Sequence, residues 1–282
     1  MVMVAGNKLI DVHTHLEQYT SKELEAVLNN ALNAKIGWII TSGMDLETST
    51  RAVEIASEHT QVLASVGIHP WSAADTQQRD PDQDLYKKLK TLSHHKKVVA
   101  IGEVGLDFID NVSTGVTFHD NSELQKSQQI IFKQYVELAC ELHIPLIIHA
   151  RGANRTIISI LKDRKTHIAG GIIHNFDGDE RQARELLDIG FYLSFGGVIT
   201  YPDAYQLHDT LRKIPLSGIV TETDSPYIPL YQQTAAKNEP CNINRIVKVI
   251  AKLKRMNPER LIEIIHSNFR TLFDISDMES SR

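Results

Sequence analysis

The sequence predicts an α/β chain of 282 residues folded as a single TIM (β/α)8 barrel, with extra helices at the C-terminus, and one domain spanning residues 1–282. Three observations lead there. Short runs rich in Val and Ile recur eight times, each of strand length. Segments with helical signals separate most of them, and the total length is typical of one such barrel. The polar or glycine-rich clusters lie at the C-terminal ends of the runs, which a doubly wound open sheet, the alternative, does not explain.

The eight runs are, in order, "KLIDVHTH", "GWIITSG", "QVLASVGIHP", "KVVAIGEVGLD", "IPLIIHAR", "GGIIHNF", "GFYLSFGG" and "SGIVTETDSP". The intervening helices are read in "SKELEAVLNNALNAK", "LETSTRAVEIASEH", "SELQKSQQIIFKQYVELACELH", "NRTIISILKDR", "DERQARELLDI" and "DAYQLHDTLRKI", with a shorter one near "DLYKKLKTL". Two more, "INRIVKVIAKLKR" and "NPERLIEIIHSNFRTLF", close the chain; Asn257 suits the cap of the last and Pro258 its first position. Long connections follow the fourth run ("FIDNVSTGVTFHDN") and the eighth ("YIPLYQQTAAKNEPC"), both at the same end of the barrel.

Composition narrows the classes. With 42% hydrophobic and 23% charged residues the chain is ordinary globular protein. A net charge of −5 argues against a broad basic surface for gripping nucleic acid, though not against a small anion site. Two cysteines far apart, Cys140 and Cys241, make no disulfide framework, so a reducing cytosol is expected. The N-terminus has no signal-peptide pattern, and no apolar run approaches the ~18 residues of a membrane span. A cytoplasmic monomer, without membrane or obligate protein partner, is the expectation.

The chemistry is carried by polar residues at the ends of the apolar runs. Asp11, His13 and His15 alternate along the first run and so share one side of the sheet. Burying three such groups is costly unless something pairs them, and a metal ion does. Glu103 closes the fourth run, His149 the fifth, His174 the sixth and Asp224 the eighth. In a parallel barrel these ends converge on one face. Four imidazoles and two carboxylates suit divalent ions such as Zn, Mn, Mg or Co. Six donors exceed one tetrahedral ion, but two ions sharing a carboxylate use them all. A lone histidine is more often a hydrogen-bonded structural residue, and His59, His94, His95, His119, His143, His167, His208 and His266 are read so.

Alternation supplies further residues. Arg151, two after His149, is placed to hold a phosphate oxygen, or to pair with an acid at the rim. His69 points at the same mouth, as a donor to substrate or as a loop-fixing group. Asp11 and Glu222 lie one layer deeper, as supports rather than ligands. Asp107 is read as orienting a ligand or anchoring the long loop. Trp71, Phe176 and Tyr227 lie near the mouth, where aromatics stack on bases or simply pack.

On "DVHTHL", "GIHPW", "IGEVGLDF", "PLIIHAR", "IIHNFDG", "LSFGGVIT", "ETDSPYIP", "NEP" and the closing "NFRTLF", nearly the whole chain resembles the TatD-type metal-dependent deoxyribonucleases of the amidohydrolase-like barrel superfamily. The resemblance implies that His13, His15, Glu103, His149, His174 and Asp224 are metal ligands, with Glu103 shared. Some relatives place a carbamylated lysine there, but none of the eight strand ends here carries a lysine. It also implies hydrolysis of DNA, often from 3′ to 5′. The chain departs from the pattern twice. After the sixth-strand histidine the family often has Cys-Phe-Ser-Gly, where this chain has Asn175-Phe176-Asp177-Gly178. Its "QQTAAKNEP" keeps Lys237 but lacks the arginines of the family's "RGKRNEP"-like stretch.

The expected function is therefore hydrolysis of DNA phosphodiesters, on single strands or strand ends, by water activated between two divalent ions. Glu103 and Asp224 are the catalytic carboxylates, Asp224 orienting the water and accepting its proton; Arg151 and His69 bind substrate. A hydrolase of an aminoacyl ester, lactone or amide on the same barrel is the first rival. A metal-binding barrel without turnover is the second.

Overall fold

The computed structural model describes residues 8–75, 83–109, 121–164, 167–233, 237–273 and 275. Eight strands form one parallel sheet: β1 Leu9–Thr14, β2 Ile36–Ser42, β3 Val62–Val66, β4 Val98–Asp107, β5 Leu146–Arg151, β6 Gly171–Ile173, β7 Phe191–Phe195 and β8 Ile219–Thr221. They pair in chain order. A parallel bridge between Thr14 and Ser225 brings the last strand's extension back to the first. Around it the amide of His15 donates to Ser225 O at 2.7 Å, and that of Asp224 to His13 O at 3.0 Å. The sheet is thus a nearly closed barrel. Its strands are buried on both faces, which is why they read as continuous apolar runs rather than alternating ones.

Ten α-helices lie among the described residues: α1 Ser21–Asn33, α2 Leu46–Glu58, α3 Pro70–Asp75, α4 Gln83–Leu92, α5 Ser122–Leu142, α6 Asn154–Lys162, α7 Glu180–Leu187, α8 Tyr205–Lys213, α9 Ile243–Leu253 and α10 Pro258–Leu272. Local chemistry sets several starts. Reciprocal capping boxes open α1 (Thr20 with Glu23), α2 (Asp45 with Thr48) and α7 (Asp179 with Gln182). Asn257 Oδ1 accepts the amides of Glu259 and Arg260 and Pro258 takes the first turn of α10, as the sequence predicts. The apolar faces of the last two helices, Ile243, Ile246, Val247 and Ile250 on α9 and Leu261, Ile265 and Phe269 on α10, are buried. Phe269 stacks on Trp38 of β2 at 6.5 Å.

Two features differ from expectation. Strands β6 and β8 pair over only three residues each, because the chain beyond them leaves the ladder to present His174 and Glu222–Asp224 to the barrel mouth. A short helix, α3, follows "GIHP"; it starts on Pro70 and was not anticipated. Residues 110–120 of the first long connection, with His119, and 234–236 of the second lie outside the described residues.

Candidate metal centre

Backbone irregularities aim the polar groups. Pairing of β1 with β2 shifts register between Asp11 and Thr14, around His13, and pairing of β4 with β5 shifts between Ile101 and Val104, around Glu103. Such irregularities bend a strand and re-aim a side chain. The expectation that Glu103 ends its strand needs correcting: β4 runs on to Asp107, and Glu103 lies in its middle. The irregularity, rather than the strand's end, is what turns Glu103 out of the ladder.

His13, His15, Glu103, His149, His174 and Asp224 converge. All are buried except His149, which is partly exposed. Their donor atoms form two clusters joined by Glu103. At the first, His13 Nε2 and His15 Nε2 lie 3.2 Å apart, and each is 3.5 Å from Glu103 Oε2. Asp224 Oδ1 lies 3.7 Å from His13 Nε2 and 3.4 Å from His15 Nε2. A tetrahedral ion with bonds of about 2.0–2.1 Å separates its ligands by about 3.3 Å, so these spacings fit one. At the second, Glu103 Oε1 lies 2.7 Å from His149 Nδ1 and 3.2 Å from His174 Nε2.

The atoms behind each imidazole set its tautomer. His15 Nδ1 faces Ser42 O at 2.9 Å and Glu17 Oε1 at 3.2 Å, both acceptors. His174 Nδ1 faces Glu222 Oε1 at 3.1 Å, and His149 Nε2 faces Asp107 Oδ2 at 3.2 Å. In all three the neutral ring keeps its hydrogen on the outer nitrogen, so that the nitrogen turned toward Glu103 has a lone pair once its proton is lost. This is the arrangement of metal-binding histidines supported from behind. His69 is the opposite case. Its Nδ1 accepts the backbone amide of Trp71 at 3.1 Å, so the neutral ring carries hydrogen on Nε2. That nitrogen lies 3.4 Å from Glu103 Oε1 and 3.3 Å from His149 Nδ1. Although close enough to complete the second cluster, His69 presents an N–H there and is a donor rather than a ligand. Burial pushes its pKa down to about 4, which keeps it neutral.

Charge in the site is unbalanced in the direction a cation corrects. Burial opposes ionisation of Glu103, yet the surrounding imidazoles of His69, His174 and His13 hold its carboxyl well below the usual range. Burial likewise opposes protonation of His15 and His174. It is outweighed by hydrogen bonds to Asp224 and Glu17 for the first, and by the charges of Glu222 and Glu103 for the second, and both pKa values rise well above normal. Protons on these rings supply positive charge that a divalent ion supplies instead when it binds.

The supporting residues fall as follows. Asp11 is not at the clusters; it accepts Thr223 N at 2.9 Å and the Thr223 hydroxyl at 2.6 Å, fastening β1 to the end of β8. Asp107 both orients a histidine and anchors the start of the long connection, since Oδ1 accepts the amide of Ile109 at 3.0 Å. Its Oδ2 also accepts the indole hydrogen of Trp71 at 2.8 Å. Arg151 is at the rim, 48% exposed, with a guanidinium nitrogen 4.0 Å from Asp107 Oδ2. Lys237, retained in "QQTAAKNEP", pairs with Glu23 of α1 at 2.7 Å. Phe176 is buried, with its ring edge-on to Phe195. Trp71 and Tyr227 are 39% and 44% exposed, Trp71 against His69 and Tyr227 against His15. Sequence reasoning missed Glu17, whose second oxygen accepts the hydroxyl of Thr41 at 2.9 Å. Its position, two after His15, was the available signal.

An eight-stranded barrel that gathers histidines and carboxylates at the C-terminal mouth of its strands defines the class of metal-dependent hydrolases. The family model described as TatD related DNase matches residues 10–274, and the chain belongs to that family. Among its relatives, the metal-dependent hydrolase YabD of Bacillus subtilis is 36% identical over 95% of this chain and 100% of that protein. YcfH of Escherichia coli is 32% identical over 97% and 99%. Both are described as uncharacterized metal-dependent hydrolases. The crystal structure of YjjV, a TatD homolog from Escherichia coli, superposes with a TM-score of 0.83 at 28% identity, covering 95% of this chain and 98% of that one.

Proposed function

We propose that this metal-dependent hydrolase cleaves phosphodiester bonds of DNA, at single strands or strand ends, with two divalent ions held by the six converging residues. The observation that carries the reading is Glu103, whose two oxygens each face a separate cluster of imidazoles. The family's description as a DNase supports DNA as substrate. His13, His15 and Asp224 with Glu103 Oε2 would hold one ion, and His149 and His174 with Glu103 Oε1 the other. When bound, such a pair lowers the pKa of water and offsets charge on the phosphoryl oxygens.

The chain's own residues do the rest. Asp224 Oδ1, against His13 and His15, is placed to orient the attacking water and take its proton. His69 directs an N–H into the cleft and binds a non-bridging oxygen without competing for an ion. Arg151 approaches from the rim as a second donor. Glu222, Asp107 and Glu17 hold His174, His149 and His15 in their tautomers.

An end-labelled single-strand digestion ladder, run beside elemental analysis of the purified protein, tests this reading. Stepwise shortening from one end with about two ions per chain is the expected result. Failure to cleave any nucleic acid, with rapid hydrolysis of an aminoacyl-tRNA, lactone or amide assayed alongside, overturns it.

A further inference from the structure

A cavity of about 260 Å³ opens beside the second cluster, with His149 and His174 in its wall. Pockets for small organic ligands begin near ~300 Å³, so this one has room for a single compact group and none for a duplex. Sharing a wall with the metal-facing histidines, it receives whatever is joined directly to the bond being cleaved. Phe176, Val198 and Leu207 make its apolar lining, and Arg151 and Asp177 its charged rim. Asp177 is one of the two residues, with Asn175, at which the chain departs from the family's Cys-Phe-Ser-Gly pattern. Its Oδ1 accepts the side-chain amide of Asn154 at 2.9 Å, which fixes the carboxylate in place.

The cavity holds one compact group, and its rim offers a single cation, Arg151, beside the carboxylate of Asp177, so a group that enters with one phosphate at Arg151 is the last of its strand. Apolar walls favour the face of a flat ring, while the carboxylate accepts hydrogen from an exocyclic amine. Cytosine and adenine carry such an amine and thymine does not. We propose that this cavity is the subsite for the terminal nucleobase, and that Asp177 favours bases with an exocyclic amine. The inference rests on the phosphodiester reading above and adds to it the reason for action at strand ends.

Calorimetric binding of dAMP, dCMP, dTMP and deoxyribose 5-phosphate to the metal-loaded chain tests it without any need for turnover. The nucleotides should bind at least about tenfold more tightly than the sugar phosphate, the gain expected from burying one base. dAMP and dCMP should exceed dTMP by several fold. Val198→Trp, which fills the cavity, should erase the gap between nucleotides and sugar phosphate while ion content stays the same. Asp177→Ala, which removes both acceptor oxygens at an exposed position, should erase the preference for amine-bearing bases. Equal binding of sugar phosphate and nucleotides overturns the subsite, as does a gap that persists in a folded, metal-loaded Val198→Trp protein. An amine preference that survives Asp177→Ala overturns the role of Asp177. Base-dependent binding without cleavage of any strand would instead refute the phosphodiesterase reading and leave the subsite standing.

Discussion

His149 gives its Nε2 hydrogen to Asp107 Oδ2 at 3.2 Å, and this one bond decides which nitrogen of the ring faces Glu103. The same oxygen holds Trp71 at the mouth. Asp107→Asn keeps the shape but substitutes a neutral amide for the carboxylate that makes His149 a better donor. Affinity for the more weakly held ion should fall roughly 10–100-fold, as is usual when such a support is lost. Titration of the ion-free protein, followed by elemental analysis, reads this directly. Unchanged affinity at both sites would show that Asp107 serves only the loop and Trp71.

Glu103→Gln probes the shared carboxylate. An amide offers one oxygen and one NH2 group, so it can serve one cluster but presents hydrogens to the other. The variant should fold, retain one ion in place of two, and lose measurable turnover. Near-normal activity at full ion occupancy would mean that Glu103 does not bridge.

Removing metal should weaken the fold and acquire a pH dependence. His15 and His174 have raised pKa values in the ion-free protein, so near neutrality they carry protons that an ion must displace. Ion affinity should therefore rise with pH until those raised values are passed, and binding should release protons. At an ion concentration of about a hundred times Kd the linkage contributes about 2.7 kcal/mol. Chelation should accordingly lower Tm by several degrees, and more at pH 8 than at pH 6. Calorimetry in two buffers of different ionisation enthalpy measures the proton release, and its absence would contradict the charge balance described above.

Much of this was legible in the sequence, and the reasons differ by element. The strands were visible because a parallel sheet buried on both faces needs unbroken Val and Ile. The six converging residues were visible because a barrel maps strand ends onto one mouth. The irregularity at Glu103 was not, since register depends on the neighbouring strand. The role of His69 was left open for a similar reason. It turns on a backbone amide at Trp71, which every residue but proline possesses and no pattern reveals. The pairing of Lys237 with Glu23 was not legible, because the two lie more than two hundred positions apart.

Salt dependence distinguishes substrate contacts from bulk charge. With Lys237 paired to Glu23 at 2.7 Å and His69 neutral, Arg151, only 4.0 Å from Asp107, is the most loosely held cation of the three. Each neutralised phosphate contributes about 0.7–0.9 to the slope of log affinity against log salt. The slope should be shallow, on the order of one to three contacts, and Arg151→Ala should lower it by about one contact while slowing cleavage. Fluorescence anisotropy of a labelled single strand across a salt series measures it. A steep slope would require a basic surface elsewhere on the chain.

Asn268, in the closing "NFRTLF", offers a test of stability well away from the chemistry. Its side-chain amide donates to Leu216 O and to Ile219 O, each at 2.8 Å, and so pins α10 to the start of β8. Asn268→Ala leaves two carbonyls in a buried setting without that donor, at roughly 1–3 kcal/mol for each that finds no other partner. A loss of about 2–4 kcal/mol is expected, which for a chain of this size lowers Tm by about 4–10 °C. Ion content should be unaffected at temperatures where the variant is folded, because β8 delivers Asp224 through the bridge to β1 as well as through α10. A thermal melt paired with elemental analysis separates the two effects. Loss of ions without loss of stability would mean that α10 positions Asp224 more directly than the hydrogen bonds indicate.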